Sequence, residues 1–113
     1  MKVHARKVTI DNIVFDSVHA SEVYSDLKLQ QRAGLISKLQ CHPQFTFIVN
    51  GLPIAKMKPD FTFHDKEDRL HVLDAKGFKR SKKTGRLLPR VDREFGIKAK
   101  LMKACFGLEI EIV

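Results

Sequence analysis

The chain lacks the features from which membrane and secreted proteins are built. No stretch of its 113 residues approaches the roughly 18 consecutive apolar residues of a membrane span, so we expect no membrane partner. The basic start, Met1 to Lys7, is not followed by the apolar segment of a signal peptide. We therefore expect a cytoplasmic protein, in a bacterium or, if it is phage-encoded, in the cytoplasm of the host.

Cysteine is also scarce. Cys41 and Cys105 are the two in the chain, and they are far apart in sequence. In a cytosolic protein such residues are more often buried free thiols than a disulfide. Cys41 and His42 have the residue types of half a zinc site, but no second Cys/His pair stands at finger spacing. We expect no zinc.

Acidic residues are nearly missing from one segment. Between Lys76 and Arg93 there are eight basic residues and one acid, Asp92, so this segment carries +7 of the formal net charge of +8. Such a concentration of positive charge favours a polyanionic partner, although a solvated, disordered loop is the alternative. The residues expected to contact nucleic acid are Lys79, Arg80, Lys82, Lys83, Arg86 and Arg90.

Local patterns predict one domain over residues 1–113 that begins with a hairpin and a helix. Val8–Ile10 and Ile13–Phe15 flank a turn, which indicates a small N-terminal hairpin. Asp16-Ser17 offers an N-cap, and apolar residues at helical spacing predict a helix from Val18 to about Ala33. Gly34 is a good helix stop.

The remaining elements alternate between strands and a second helix. Strands are predicted at Leu35–Cys41, Phe45–Val49, Ile54–His64 and Leu70–Lys76, with Asn50-Gly51 as a hairpin turn. Pro59 predicts an edge, a bulge or a bend within the third of these strands. A mobile basic loop at Lys79–Arg86, a helix from Pro89 to Gly107 and a last strand over Leu108–Ile112 follow. The fold class is therefore α/β: helix, three-strand meander, helix, strand, after a small N-terminal hairpin.

Two carboxylates and a lysine indicate a candidate metal-binding site. In the strand ending at Lys76, Asp74 and Lys76 share a face, and Asp60 stands on the preceding strand. If the two acids share a face of adjacent strands, they can bind one Mg²⁺ or Mn²⁺, with the Ala75 carbonyl as a further ligand. The alternative is an exposed Asp74–Lys76 salt bridge and a simple turn at Lys58-Pro59-Asp60.

In this chain Pro59-Asp60 is followed, after thirteen intervening residues, by Asp74-Ala75-Lys76. This motif resembles that of the PD-(D/E)XK nuclease superfamily. The predicted order of elements is similar to the restriction-endonuclease-like core of that superfamily. More narrowly, the chain resembles a small, largely uncharacterised family of phages and prophages. Further matching stretches are Phe15-Asp16-Ser17, Gln31 to Ile36, Leu73 to Gly77, Lys98 to Ala104 and Gly107 to Ile110.

The resemblance implies metal ligation by Asp60 and Asp74, a catalytic Lys76 and a supporting role for Lys98 near the nucleic acid. It also implies a homodimer, because two cuts need two sites. The family usually has a glutamate where this chain has Ala20. Glu22 is the nearest acid, but two residues along a helix is about 200° around it. Glu22 is therefore a tentative replacement.

The first hypothesis is a Mg²⁺- or Mn²⁺-dependent DNA endonuclease that hydrolyses phosphodiesters in double-stranded or branched phage DNA. The second is a catalytically weak or inactive protein of the same fold that binds nucleic acid without cutting it. A third is an interaction factor whose basic loop binds an acidic protein. The sequence alone does not distinguish DNA from RNA or one metal ion from two.

Overall fold

The computed structural model describes residues 6–89 and 91–113, and their side chains except those of Phe78 and Lys79. Arg90, one of the residues expected to contact nucleic acid, lies outside this range. The elements, in chain order, are β1 (Val8–Ile10), β2 (Ile13–Phe15), α1 (Val18–Arg32), β3 (Ser37–Cys41), β4 (Phe45–Val49), β5 (Leu52–Met57), β6 (Phe61–His64), β7 (Leu70–Asp74), β8 (Phe78–Arg80), β9 (Leu87–Pro89), α2 (Arg93–Phe106) and β10 (Ile110–Ile112).

The N-terminal hairpin and first helix form where local signals predicted them. β1 and β2 pair antiparallel around Asp11 and Asn12, whose φ angles of 53° and 63° suit a tight turn. The side chain of Ser17 accepts a hydrogen bond from the Ala20 N–H at 3.1 Å and caps α1. Gly34, with φ of 78°, follows the end of the helix.

The central sheet has the strand order β10-β7-β6-β3. β6 pairs antiparallel with both β3 and β7, whereas β10 runs parallel to β7. A parallel neighbour requires a crossover connection, and α2 lies within it. The chain is thus a mixed α/β domain.

The predicted strand over residues 54–64 is wrong in one respect, because it is broken in the middle. Within the described residues, β5 pairs with β4 alone, while β6 belongs to the central sheet. Between them lie Lys58, the buried Pro59 and Asp60. Proline has no N–H to donate to a strand and restricts the residue before it, so the ladder stops there. The antiparallel meander consists of β3, β6 and β7, with the β4–β5 hairpin inserted between its first two strands.

The core lies on both faces of the central sheet. Leu73 packs with Phe15, Tyr24 and Phe61 on the face that α1 covers. Its neighbour Val72 points to the other face, as alternation along a strand requires. There Val72 packs in a second cluster with Phe47, Met57, Phe95 and Met102, contributed by the β4–β5 hairpin and α2. This arrangement fixes α2 against the sheet close to the C-terminal end of β7.

The basic segment also differs from the prediction. The predicted loop over residues 79–86 is shorter, because residues 79 and 80 belong to β8, which pairs with β9 as a short antiparallel hairpin. Residues 81–86 form the connection between the two strands. Helix α2 begins at Arg93 rather than at Pro89, since Pro89 closes β9 and Asp92 supplies the N-cap. The helix ends at Gly107 (φ 69°), as predicted. Neither helix in the described range is long and apolar enough to cross a membrane.

Candidate functional site

Asp60 and Asp74 meet at one end of the central sheet. Asp74 is the last residue of β7, and Asp60 immediately precedes β6. Phe61 is the register partner of Leu73, so one step further along both strands places Asp60 opposite Asp74. Opposite side chains of an antiparallel pair lie on the same face, about 5 Å apart at Cβ. The structure therefore brings together two acids that are 14 positions apart in sequence.

Reciprocal hydrogen bonds hold the two carboxylates. The Ala75 N–H donates to Asp60 Oδ2 at 2.7 Å, and the Asp60 N–H donates to Asp74 Oδ1 at 3.3 Å. Each acid is thus anchored by the backbone of the other segment. β10 supports the same corner, since the Val113 N–H donates to the Asp74 carbonyl at 3.0 Å. Ala75 contacts the carboxylate pair through its backbone N–H, which donates to Asp60.

The Asp74 carboxylate is buried, and its charge is not fully compensated. The residue is only 4% exposed. Burial, reinforced by the hydrogen-bonded carboxyl of Asp60, raises the pKa of Asp74 from 3.8 to about 6, against an opposing effect of Lys76. A second carboxyl beside a poorly solvated one disfavours ionisation of the buried group. Such a perturbed acid beside a cleft is typical of functional sites.

Lys76 and His42 are the nearest groups that can carry positive charge. Lys76 Nζ lies 3.4 Å from Asp74 Oδ2, and its side chain is 36% exposed. His42 Nε2 lies 3.9 Å from Asp60 Oδ1, too far for a direct hydrogen bond. The predicted trio of Asp60, Asp74 and Lys76 is thus adjacent in space.

The trio lines an open cleft of about 300 Å³. Five carboxylates and three lysines line it, a formal charge of −2 if all are ionised; they are Asp16, Asp60, Asp74, Asp92 and Glu94, with Lys58, Lys76 and Lys98. Lys98 is neutralised in part by Glu94, whose Oε1 lies 3.0 Å from Lys98 Nζ. The cleft therefore has an excess of oxygen ligands, which suits a divalent cation.

Three of these acids were not assigned to the site from sequence. Asp16 immediately precedes the N-cap of α1, and Asp92 is the N-cap of α2, where its Oδ1 accepts from the Phe95 N–H at 2.8 Å. Glu94 is in the first turn of the same helix. The N-cap signal at Asp16-Ser17 predicted the start of α1, whereas the start of α2 at Asp92 was not predicted. Only the packing of the helices on the sheet brings both starts to the cleft. Glu22, the tentative replacement, is exposed on α1 and does not line the cleft.

The described basic side chains of the β8–β9 hairpin do not line the cleft. Lys82, Lys83 and Arg86 are exposed in the β8–β9 hairpin. Arg80 donates from Nη1 to the Gly85 carbonyl at 2.6 Å, which closes the turn. The side chain of Lys79 is outside the described part of the chain. The hairpin begins directly after Gly77, so its basic residues follow Lys76 of the cleft closely along the chain.

Among the described residues, no group of three or more histidine, cysteine, aspartate or glutamate side chains is arranged to hold a metal ion. Asp60 and Asp74 are a facing pair of carboxylates in the cleft. The two cysteines are free.

These features define a small mixed α/β domain with a carboxylate-lined cleft. A family model described as a protein of unknown function, DUF1064, matches residues 1–104. The chain belongs to this family. No curated protein and no solved structure matches the chain.

Proposed function

We propose that this protein is a Mg²⁺- or Mn²⁺-dependent endodeoxyribonuclease that hydrolyses phosphodiester bonds. One observation carries the proposal: Asp60 and Asp74 face each other across β6 and β7, with the Lys76 ammonium 3.4 Å from Asp74 Oδ2. Two acids at one cleft edge can hold a cation that polarises a phosphate, and the adjacent ammonium can stabilise developing negative charge.

The topology supports a restriction-endonuclease-like core. After α1, the antiparallel strands β3, β6 and β7 are followed by α2 and by β10, which runs parallel to β7. This is the order of helix, meander, helix and strand that the resemblance to PD-(D/E)XK nucleases implies. Both candidate ligands stand at the same end of the last two strands of that meander, Asp60 before the start of β6 and Asp74 at the end of β7.

The side chains fit a divalent cation with open coordination positions. Burial, and then the facing carboxyl of Asp60, raises the pKa of Asp74, and a cation between the two carboxyls would offset both effects. Two carboxylates are few for a dedicated Ca²⁺ site, but Mg²⁺ is commonly held by one or two carboxylates, several waters and the substrate phosphate. Asp60 and Asp74 would hold the ion.

In this function each residue has a distinct role. A bound cation would supply the positive charge that polarises the scissile phosphate and lowers the pKa of a water. The Ala75 amide holds the Asp60 carboxylate in place at 2.7 Å. The Lys76 ammonium neutralises negative charge that develops on the phosphate. The partly buried setting strengthens that interaction relative to water.

The positive charge of the β8–β9 hairpin indicates a polyanionic substrate. The basic residues of the β8–β9 hairpin can bind a sugar-phosphate backbone through interactions that are independent of base sequence and sensitive to salt. We propose double-stranded or branched DNA as the partner. A homodimer would present two cleavage sites to two strands, and sedimentation of the purified protein with and without DNA tests that part.

Cleavage of supercoiled plasmid and of a four-way junction with Mg²⁺ or Mn²⁺ tests the function. Wild-type protein should cut with either metal, and EDTA should stop cleavage. Asp74→Ala should lose activity by at least about 100-fold, the scale on which single electrostatic groups act in catalysis. If wild-type and Asp74→Ala preparations show the same trace activity, hydrolysis by this site is wrong.

Binding at several salt concentrations tests the basic hairpin separately. Replacing Lys82 and Lys83 with alanine should reduce the slope of log K against log salt by about 0.9 for each phosphate that the protein no longer neutralises. Lys66→Ala, which removes an exposed lysine in the turn between β6 and β7, is the matched control. Equal slopes for both proteins would assign DNA binding to another surface.

A second candidate function is nucleic-acid binding without cleavage. The observation that favours it is the absence, within the described residues, of a third metal-ligating side chain grouped with the two acids. Mobility shifts that persist in EDTA, with no product under any metal, would support this function and contradict the first.

A further inference from the structure

The Lys76 ammonium lies between a carboxylate and an aromatic ring. Its Nζ is 3.4 Å from Asp74 Oδ2 and 5.1 Å from the centroid of the Phe95 ring, over the ring face. An aromatic face attracts a cation within about 6 Å of its centroid. The ring therefore provides a second point of attachment for a long side chain that has many rotamers.

Phe95 is itself held firmly. It is 9% exposed and packs in the cluster that contains Phe47 and Met102. Its N–H donates to Asp92 at the start of α2, so helix and core both fix the position of the ring. A lysine that rests on such a ring loses less conformational freedom when a substrate arrives.

We propose that Phe95 is a positioning residue that holds the Lys76 ammonium beside Asp74. The inference rests on the proposed function, in which Lys76 faces the scissile phosphate. An ammonium already placed for the transition state lowers the cost of orientation during catalysis. Loss of the ring should therefore reduce kcat rather than raise KM, because the basic residues proposed to bind DNA lie elsewhere.

The experiment compares Phe95→Leu, which removes the ring, with Phe95→Tyr, which keeps it. Phe47→Leu is the matched control, since Phe47 is 0% exposed in the same cluster, whereas the ring under Lys76 Nζ is that of Phe95. The first readout is the proton shift of the Lys76 ε-methylene group in a ¹H–¹³C spectrum. A ring face shifts those protons upfield, and this signal does not depend on activity.

The wild-type protein and Phe95→Tyr should show the upfield shift, Phe47→Leu should keep it, and Phe95→Leu should lose it. The kcat of Phe95→Leu should fall by about twofold to fivefold, from the usual strength of an exposed cation–π contact, with KM unchanged. Phe47→Leu should keep its kcat at a temperature where it is folded.

An unshifted wild-type signal, or a shifted signal in Phe95→Leu, would overturn the inference whether or not the protein cleaves DNA. A kcat of Phe95→Leu equal to that of the wild type would overturn it as well. If the shifts behave as expected but no variant cleaves DNA, the placement of Lys76 on the ring is supported and the hydrolytic function is the part that fails.

Discussion

Strand β7 carries two clusters of charged groups, one near each end, and the two are built differently. Near its start, His71 lies between two carboxylates: Nε2 is 2.8 Å from Asp65 Oδ2, and Nδ1 is 3.0 Å from Glu111 Oε1. At its end, Asp74 meets another acid, Asp60, and a single lysine. The first cluster alternates charges, whereas the second crowds like charges.

The pKa directions follow from that difference. Hydrogen bonds to Asp65 and then to Glu111 raise the pKa of His71, and the bond from His71 lowers the pKa of Asp65. Both His71 and Asp65 therefore favour their charged forms. Burial, then Asp60, raises the pKa of Asp74, so that group disfavours its charged form. The first cluster stabilises the fold, and the second costs stability that a bound cation would offset.

The same substitution in each cluster should have different consequences for activity. Asp60→Asn removes a proposed ligand and should reduce Mn²⁺-dependent cleavage by about 100-fold or more. Asp65→Asn should leave the rate within about twofold, because Asp65 does not line the cleft. Rates under single-turnover conditions check both. Equal losses of cleavage rate in the two variants would show that the cluster at Asp74 has no special role in cleavage.

Mn²⁺ should stabilise only a protein with an intact second cluster. At a free concentration 100 times its Kd, a cation bound to the folded state adds about 2.7 kcal/mol to the free energy of unfolding. Thermal melts should show this increase for the wild type and for Asp65→Asn. Asp60→Asn should show none. A shift that survives in Asp60→Asn would place the cation elsewhere.

Without metal, Asp74→Asn should be more stable than the wild type at pH 8. Because the pKa of Asp74 rises from 3.8 to about 6 on folding, stability falls as the pH rises between these two values, and the full cost is present at pH 8. Asparagine removes the charge but stays polar and buried, so we expect a gain of about 1 kcal/mol in urea unfolding. Asp65→Asn should lose stability under the same conditions. A loss in Asp74→Asn would show that its carboxylate is well compensated.

The smallest effect concerns pH and His71. Since the folded pKa of His71 is raised above its ordinary 6.5, its ion pairs contribute fully below that pH, and the contribution is lost as the pH rises through the folded value. The difference in Tm between the wild type and His71→Gln should therefore shrink by about 2–4 °C between pH 6 and pH 8.5. Asp74 titrates in both proteins, so the difference isolates His71. A constant difference would rule out ionic stabilisation there.

Elements with short-range signals could be predicted from sequence. The turn at Asn50-Gly51 needs positive φ at both residues, and they have 52° and 76°. The Ser17 cap and the Gly107 stop depend on interactions within one helical turn. The break at Pro59 could not be placed in the sheet, since strand partners differ on its two sides. The pairing of β8 with β9 was not predicted, because the high density of basic residues in this segment indicated a solvated loop.

By itself, the sequence determined the candidate trio, the concentration of positive charge after Lys76, and most of the elements that carry them. Only the tertiary structure decided that Asp60 faces Asp74, that Asp74 is buried, and that the N-termini of both helices bring three further acids to the cleft. The physical reason is range. Capping, turns and alternation depend on neighbouring residues, whereas burial and the pKa of a carboxylate depend on groups that only packing brings close.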